Sequence, residues 1–77
     1  MNTIEDFISK FAEQFEITDP KEITAATHFK DLADWDSLAS LSIIAMVKAT
    51  YNVELLGGDI RRATTVEDVY KQLVSKM

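Results

Sequence analysis

The fold is decided by two adjoining segments, WDSL at residues 35–38 and the apolar run ASLSIIAMV at residues 39–47. An acidic loop ends here and the most hydrophobic predicted helix begins, over about residues 37–51. Asp36 or Ser37 is well suited to cap this helix, because a short side-chain oxygen accepts hydrogen bonds from the unpaired amides of the first turn.

Ser37 has two interpretations at this junction. In the simpler one it is only a helix cap. In the other, its hydroxyl is exposed at the positive end of the helix, where free amides and the helix dipole stabilise a phosphate group. A phosphate ester on Ser37 would therefore be favourably placed.

The composition excludes several classes of protein. At 77 residues the chain is expected to form one domain, residues 1–77, with a single small core. It has no cysteine and one histidine, His28, so neither a disulfide framework nor a thiolate zinc site is available. As a catalytic base for Ser37, His28 lacks a recognisable third residue and oxyanion donors, so a structural histidine is favoured over a serine hydrolase.

The net charge of −5 argues against nucleic-acid binding, because an acidic surface repels phosphates. The charge is uneven, with a net −6 over residues 1–36 and +1 over residues 37–77. The acidity therefore precedes Ser37 and favours basic protein partners. No run reaches the roughly 18 apolar residues of a membrane span, and the N-terminus lacks a signal segment, so a soluble, cytoplasmic protein is expected.

Two further segments complete the first half of the chain. A helix capped by Thr3 is predicted over about residues 3–16, since apolar residues recur at spacings of three and four. A long loop follows over residues 17–35, because periodicity stops and Pro20 disfavours helix at Asp19. The side chains expected to anchor this loop on the helices are Ile17, Ile23, Phe29 and Leu32.

After a break at Asn52, the glycine pair at residues 57–58 permits positive φ and a tight turn. Asp59 is then expected to cap a short helix over residues 60–62, and Thr64 or Thr65 to cap the last helix. The predicted fold is all-α, a small bundle of three main helices and one short helix with a long first loop. Its predicted core comprises Ile4, Phe7, Phe11, Phe15, Ile43, Ile44, Val47, Val66, Val69 and Leu73.

The predicted second helix is apolar on nearly all faces, which indicates burial or a partner. One face can meet the first helix. On the other, Leu38, Leu41 and Ala45 lie near Ser37 and are predicted to form a partner-docking patch, flanked by Asp34 and Trp35. The alternative is that the first helix and the loop cover these leucines. For Trp35, packing on the loop is favoured over a place in the docking surface.

Together these segments resemble the acyl carrier protein family. The resemblance rests on Asp36-Ser37-Leu38, the helix after it, and the segment TTVEDV at residues 64–69, and it covers nearly the whole chain. It implies that Ser37 carries a covalent 4′-phosphopantetheine derived from coenzyme A, with acyl groups held as thioesters on its thiol. It also implies that Asp36 assists a phosphopantetheinyl transferase by helping to hold its magnesium, and that acyl-activating and acyl-transferring enzymes are the other partners.

The sequence departs from this family in two places. Carriers of the fatty-acid type bear several acids on the second helix, where this chain has Ser42, Lys48 and Ala49, and many have a glycine and a small residue at Asp34-Trp35. These departures favour a specialised biosynthetic pathway over housekeeping fatty-acid synthesis, and fatty-acid or lipid-type synthesis is kept as the other pathway. The alternatives left open are an aminoacyl or peptidyl carrier and a non-carrier helical interaction module. As a carrier the protein is expected to be a monomer and to catalyse no reaction itself.

Overall fold

Four α-helices make up the framework of the computed structural model, which describes residues 3–16 and 18–77. They are α1 (Ile4–Ala12), α2 (Ser37–Tyr51), α3 (Gly57–Arg62) and α4 (Val66–Ser75). Two short 3₁₀ turns, Pro20–Glu22 and Phe29–Asp31, lie in the connection between α1 and α2. No strand occurs over the described ranges. The predicted all-α bundle with one short helix and a long first loop is confirmed.

The first helix is shorter than predicted. Thr3 caps it as expected, accepting from the Asp6 amide at 3.2 Å. It ends at Ala12, because the amides of Gln14 and Phe15 bond three residues back, to the carbonyls of Phe11 and Ala12, both at 3.1 Å. This tighter turn carries Phe15 into the core, where its ring centroid lies 5.6 Å from that of Phe11. The prediction of helix to residue 16 was wrong, and the prediction that Phe15 is buried is confirmed.

The long loop is anchored by side chains and by backbone. Ile23 and Phe29 are buried and Leu32 packs against the core, as predicted, while Ile17 lies outside the described residues. The amide of Val66 donates to the carbonyl of Thr27 at 3.1 Å, and that of Glu67 to the carbonyl of Ala25 at 2.9 Å. These two bonds satisfy amides at the start of α4 that have no partner inside the helix.

The second helix has the bounds that the sequence predicts. The Asp36 carboxylate accepts from the Ala39 amide at 2.8 Å and so begins it. Asn52 ends it in the left-handed conformation, with φ of 57°. Among the described residues, Asn52 has positive φ and neither glycine does, so the freedom that the glycine pair permits is not used.

The third helix begins at Gly57, before the position predicted for its cap. Asp59 lies in the first turn and accepts from the amide of Leu56 at 2.9 Å. The prediction that Asp59 is the residue before the helix was therefore wrong. A carboxylate satisfies a free amide at the helix start equally well from inside the first turn.

The core lies between α1, α2 and α4, with α3 packed on α2 and α4. Eight of the ten predicted core residues are buried, whereas Ile4 and Ile44 are only partly buried. Ile4 is the first residue of α1, at the edge of the bundle, and Ile44 borders the groove described below. Among the described residues, no helix is both long and apolar enough to cross a bilayer.

Candidate functional site around Ser37

Ser37 and Asp36 have different positions at the start of α2. Asp36 is the cap, with an extended backbone and its Oδ1 on the Ala39 amide. Ser37 is the first residue of the helix and is exposed, and its hydroxyl makes no hydrogen bond with the described part of the chain. Because Asp36 supplies the cap, the interpretation of Ser37 as a simple cap does not hold. Its hydroxyl is free for chemistry.

An open groove of about 730 Å³ lies beside Ser37, between α2, α3 and the end of the long loop. Its apolar wall is formed by Trp35, Leu41, Ile44 and Ile60, and its cationic rim by Lys30 and Arg61. The sequence predicted the short helix but did not indicate that Lys30, Ile44 and Ile60 meet beside Ser37. Each lies on a different element, so only the packing of those elements brings them together.

A smaller depression of about 280 Å³ lies on the other side of Asp36. Three carboxylates line it, those of Glu16, Asp34 and Asp36, together with Leu38 and Ala39. Asp34 Oδ2 accepts from the Thr18 amide at 2.9 Å, which ties the two ends of the long loop together. The described residues contain no group of three potential ligands arranged to hold a metal ion.

The leucines beside Ser37 are not covered by α1 or the loop. Leu38 is 70% exposed and Leu41 61% exposed, and Ala45 is also exposed. At about 100° per residue, all three lie within about 100° of Ser37 around the axis of α2. The structure therefore presents a continuous apolar strip along α2 that starts at the free hydroxyl.

Trp35 makes both of the contacts considered for it. Its ring packs edge-on against that of Phe29, with ring centroids 4.8 Å apart and an interplanar angle of 68°. The centroid of the Phe15 ring lies 6.3 Å away. Its remaining surface lines the groove beside Ser37. The packing on Phe29 fixes the indole as a rigid part of the groove wall.

The other wall of the groove is held by an ion-pair cluster on α3. The Asp59 side chain is 5% exposed. Its Oδ1 lies 2.8 Å from Arg62 Nη2, and its Oδ2 lies 2.8 Å from Lys76 Nζ. Hydrogen bonds from Lys76 and from the Leu56 amide hold the pKa of the Asp59 carboxyl below its ordinary value. Lys76 also reaches the Glu54 carbonyl at 3.4 Å. The end of α4 is thereby fastened to the start of α3, which fixes Ile60 at the groove.

His28 lies apart from Ser37. Its Nδ1 is 4.0 Å from Asp31, both side chains are largely exposed, and it lines neither depression. The geometry therefore offers no contact through which His28 would activate Ser37.

These residues fit a phosphodiester on Ser37. The hydroxyl is exposed, the cap position is already filled, and the start of α2 stabilises negative charge. The adjoining groove offers apolar surface to whatever the phosphodiester bears.

Comparison with known proteins identifies the family of the chain. The family model described as the phosphopantetheine attachment site matches residues 5–73, nearly the whole chain. No curated protein and no solved structure matches the chain. The chain therefore belongs to the family of carrier proteins to which 4′-phosphopantetheine is covalently attached, and which act with a phosphopantetheinyl transferase and further partner enzymes.

Proposed function

We propose that the protein carries acyl groups as thioesters on a 4′-phosphopantetheine attached to Ser37, and that it catalyses no step itself. The observation that supports this most is the free hydroxyl of Ser37 at the start of α2, with Asp36 taking the cap. The prosthetic group supplies a thiol on a flexible arm, which raises the effective concentration of the thioester at each partner enzyme.

Attachment requires the Ser37 hydroxyl to act as a nucleophile. Its oxygen forms a bond to the phosphorus of coenzyme A that bears the pantetheine arm, and the bond from that phosphorus to the bridging oxygen breaks. Adenosine 3′,5′-bisphosphate leaves, and the hydroxyl proton passes to a base of the transferase. Asp36 Oδ2, which makes no hydrogen bond with the described residues, is proposed to face the transferase-bound magnesium.

The docking surface is proposed to be the apolar strip of Leu38, Leu41 and Ala45, flanked by Asp34 and Trp35. The exposure of both leucines supports this, because large exposed apolar side chains beside a reactive group are typical of interaction sites. α2 carries one charged residue, Lys48, so docking along it depends on apolar contact more than on charge.

An acyl cargo is favoured over an aminoacyl one by the groove. Four apolar side chains line it next to Ser37, and these would cover methylene groups. The lack of acids on α2 supports a specialised pathway with its own small set of enzymes.

The test is the intact mass after incubation with coenzyme A, magnesium and a broad-specificity phosphopantetheinyl transferase. Wild type is expected to gain one phosphopantetheine. Ser37→Ala is expected to gain none, because the nucleophilic oxygen is absent. Ser40→Ala is the matched control, since Ser40 is a second serine in the same groove, and this variant should be modified like wild type.

Modification of Ser37→Ala, or loss of modification in Ser40→Ala alone, would place the attachment elsewhere. A wild-type protein that stays unmodified by two different transferases, with its helical circular dichroism intact, would contradict the proposal and favour an interaction module.

A further inference from the structure

The groove beside Ser37 has a charge opposite to that of the molecule. The protein carries a net charge of −5, yet Lys30 and Arg61 line this groove with Asp36 as its one acidic residue. Three of the acids that dominate the first half of the chain, Glu16, Asp34 and Asp36, border the separate depression on the other side of the loop. The groove is thus a local cationic region on an acidic protein.

The two cations are positioned differently. Lys30 Nζ donates to the carbonyl of Arg61 at 2.7 Å and lies 5.8 Å from the centroid of the Phe29 ring. Its ammonium is therefore held at the rim between the loop and α3, with further N–H donors available. Arg61 makes no ion pair with the described residues, whereas its neighbour Arg62 is paired with Asp59.

The apolar wall and the cationic rim favour one kind of occupant. Trp35, Leu41, Ile44 and Ile60 would cover methylene groups, and an anionic end would meet Lys30 and Arg61. A guanidinium without a partner forms two parallel hydrogen bonds to a carboxylate.

We propose that this groove holds the carried group and favours acyl chains that end in a carboxylate, so that the cargo is a dicarboxylic half-thioester. The proposal rests on the carrier function at Ser37 and adds the chemical class of its cargo. The alternative occupant of the two cations, an acidic surface of a partner enzyme, is one outcome of the test.

The experiment compares two acyl forms that differ in charge alone. The transferase is supplied with glutaryl-coenzyme A or with its neutral isostere, 4-carbamoylbutanoyl-coenzyme A, and intact mass verifies loading. Both products have the same phosphodiester, so its effect on stability cancels. We expect the glutaryl form to have the higher Tm, by roughly 2 °C, the size of one partly exposed ion pair in a domain this small.

The sign of this difference is informative. Added negative charge generally destabilises a protein that is already acidic, by self-repulsion. A higher Tm for the more acidic form therefore requires a local cationic contact, and the difference should shrink in concentrated salt. In both forms the emission of Trp35, the single tryptophan, should shift relative to the unacylated protein, because the chain covers the indole.

Charge-removing variants assign the contact. Arg61→Gln and Lys30→Gln should each reduce the Tm difference between the two acyl forms. Lys21→Gln should keep it, because Lys21 is an exposed cation that lines neither depression. The comparison is made within each variant, so an effect of the substitution on the fold cancels.

Equal Tm values in wild type would overturn the inference and leave an acidic partner as the role of the two cations. A difference that persists in both Arg61→Gln and Lys30→Gln would also overturn it, since the carboxylate would then be sensed elsewhere. Failure of the protein to accept phosphopantetheine from coenzyme A itself, seen by mass, is a separate result: it removes the carrier function and this inference with it.

Discussion

The Ser37 hydroxyl is free because its neighbour, Asp36, caps the start of α2. An N-cap serine would have its oxygen turned back onto the helix amides. With Asp36 as the cap, Ser37 moves one position into the helix, keeps its side chain in solvent and retains the favourable electrostatics of the helix start.

The two roles assigned to Asp36, cap and magnesium-facing carboxylate, are separable by substitution. Asp36→Asn keeps a good capping side chain and removes the charge, whereas Asp36→Ala removes both. Asp36→Ala should lower the free energy of unfolding by about 1 kcal/mol, and the Tm by roughly 4–8 °C. Asp36→Asn should leave the Tm close to that of wild type. The transferase should nevertheless modify it more slowly than wild type, as it should Asp36→Ala.

Thermal unfolding and the transferase kcat/KM measure these two effects side by side. If Asp36→Asn is modified at the wild-type rate, the carboxylate charge has no part in attachment and Asp36 acts only as a cap.

The helix α2 packs one face against the core, and its opposite face exposes an apolar strip to solvent. Ile43 and Val47 are fully buried, while Leu38 and Leu41 remain largely exposed. An exposed leucine contributes little to the fold, so its removal should affect recognition much more than stability.

Leu41→Gln tests this separation. We expect the transferase kcat/KM to fall about tenfold, equivalent to about 1.4 kcal/mol of lost contact, with the Tm nearly unchanged. Val74→Gln is the matched control, because Val74 is 46% exposed on α4 and lies outside both depressions. Equal rates for the two variants would contradict the proposed docking strip.

α3 and α4 are joined by the Asp59 cluster, and this predicts a pH dependence of stability. Contacts with Lys76 and the Leu56 amide lower the folded-state pKa of Asp59 below that of the unfolded chain. The ionised carboxylate therefore contributes stability at pH values above the unfolded pKa of about 4, and this contribution is lost as the pH falls through the folded pKa.

The measurement is urea unfolding of wild type and Asp59→Asn between pH 3 and pH 7. The variant keeps an acceptor for the Leu56 amide but loses the ion pairs, so it should be less stable than wild type at pH 6, and the gap should narrow as the pH falls below about 4. The Thr64 and Thr65 amides also lower the pKa of Asp68. Asp68 is present in both proteins, so its effect on the pH dependence of stability cancels in the comparison. A gap that stays constant with pH would show that the ion pairs do not stabilise the fold.

For the whole molecule, the sequence predicted what is local and missed what depends on the packing of distant segments. The bounds of α2 follow from Asp36 at one end and Asn52 at the other, both readable from residue type. The end of α1 was missed because the apolar spacing continues to Phe15 although the helix does not. A tight turn places that ring in the core as well as a helix would.

The site divides in the same way. The positions of Ser37, Asp36 and the leucine strip were predictable from residue type and helical spacing, whereas their roles stay predictions that rest on the family resemblance. The contact of Lys30 with Arg61 and the pairing of Asp59 with Lys76 were not, because each joins residues of separate elements. No local pattern encodes such contacts, so the cationic rim and the fastening of α3 became visible only in the folded chain.

The two hydrogen bonds between the long loop and the start of α4 join backbone atoms only, Val66 to Thr27 and Glu67 to Ala25. A carbonyl oxygen is the same in every residue, so exchanging Ala25 leaves its acceptor in place. Thr27 differs, because its hydroxyl also accepts from the Thr24 amide at 2.8 Å and donates to the Glu22 carbonyl at 3.2 Å. An inserted or deleted residue between Ile23 and Phe29 instead moves the carbonyls away from the amides of α4. Over evolutionary time the stretch between Ile23 and Phe29 is therefore expected to be constrained in length, and in residue identity mainly at Thr27.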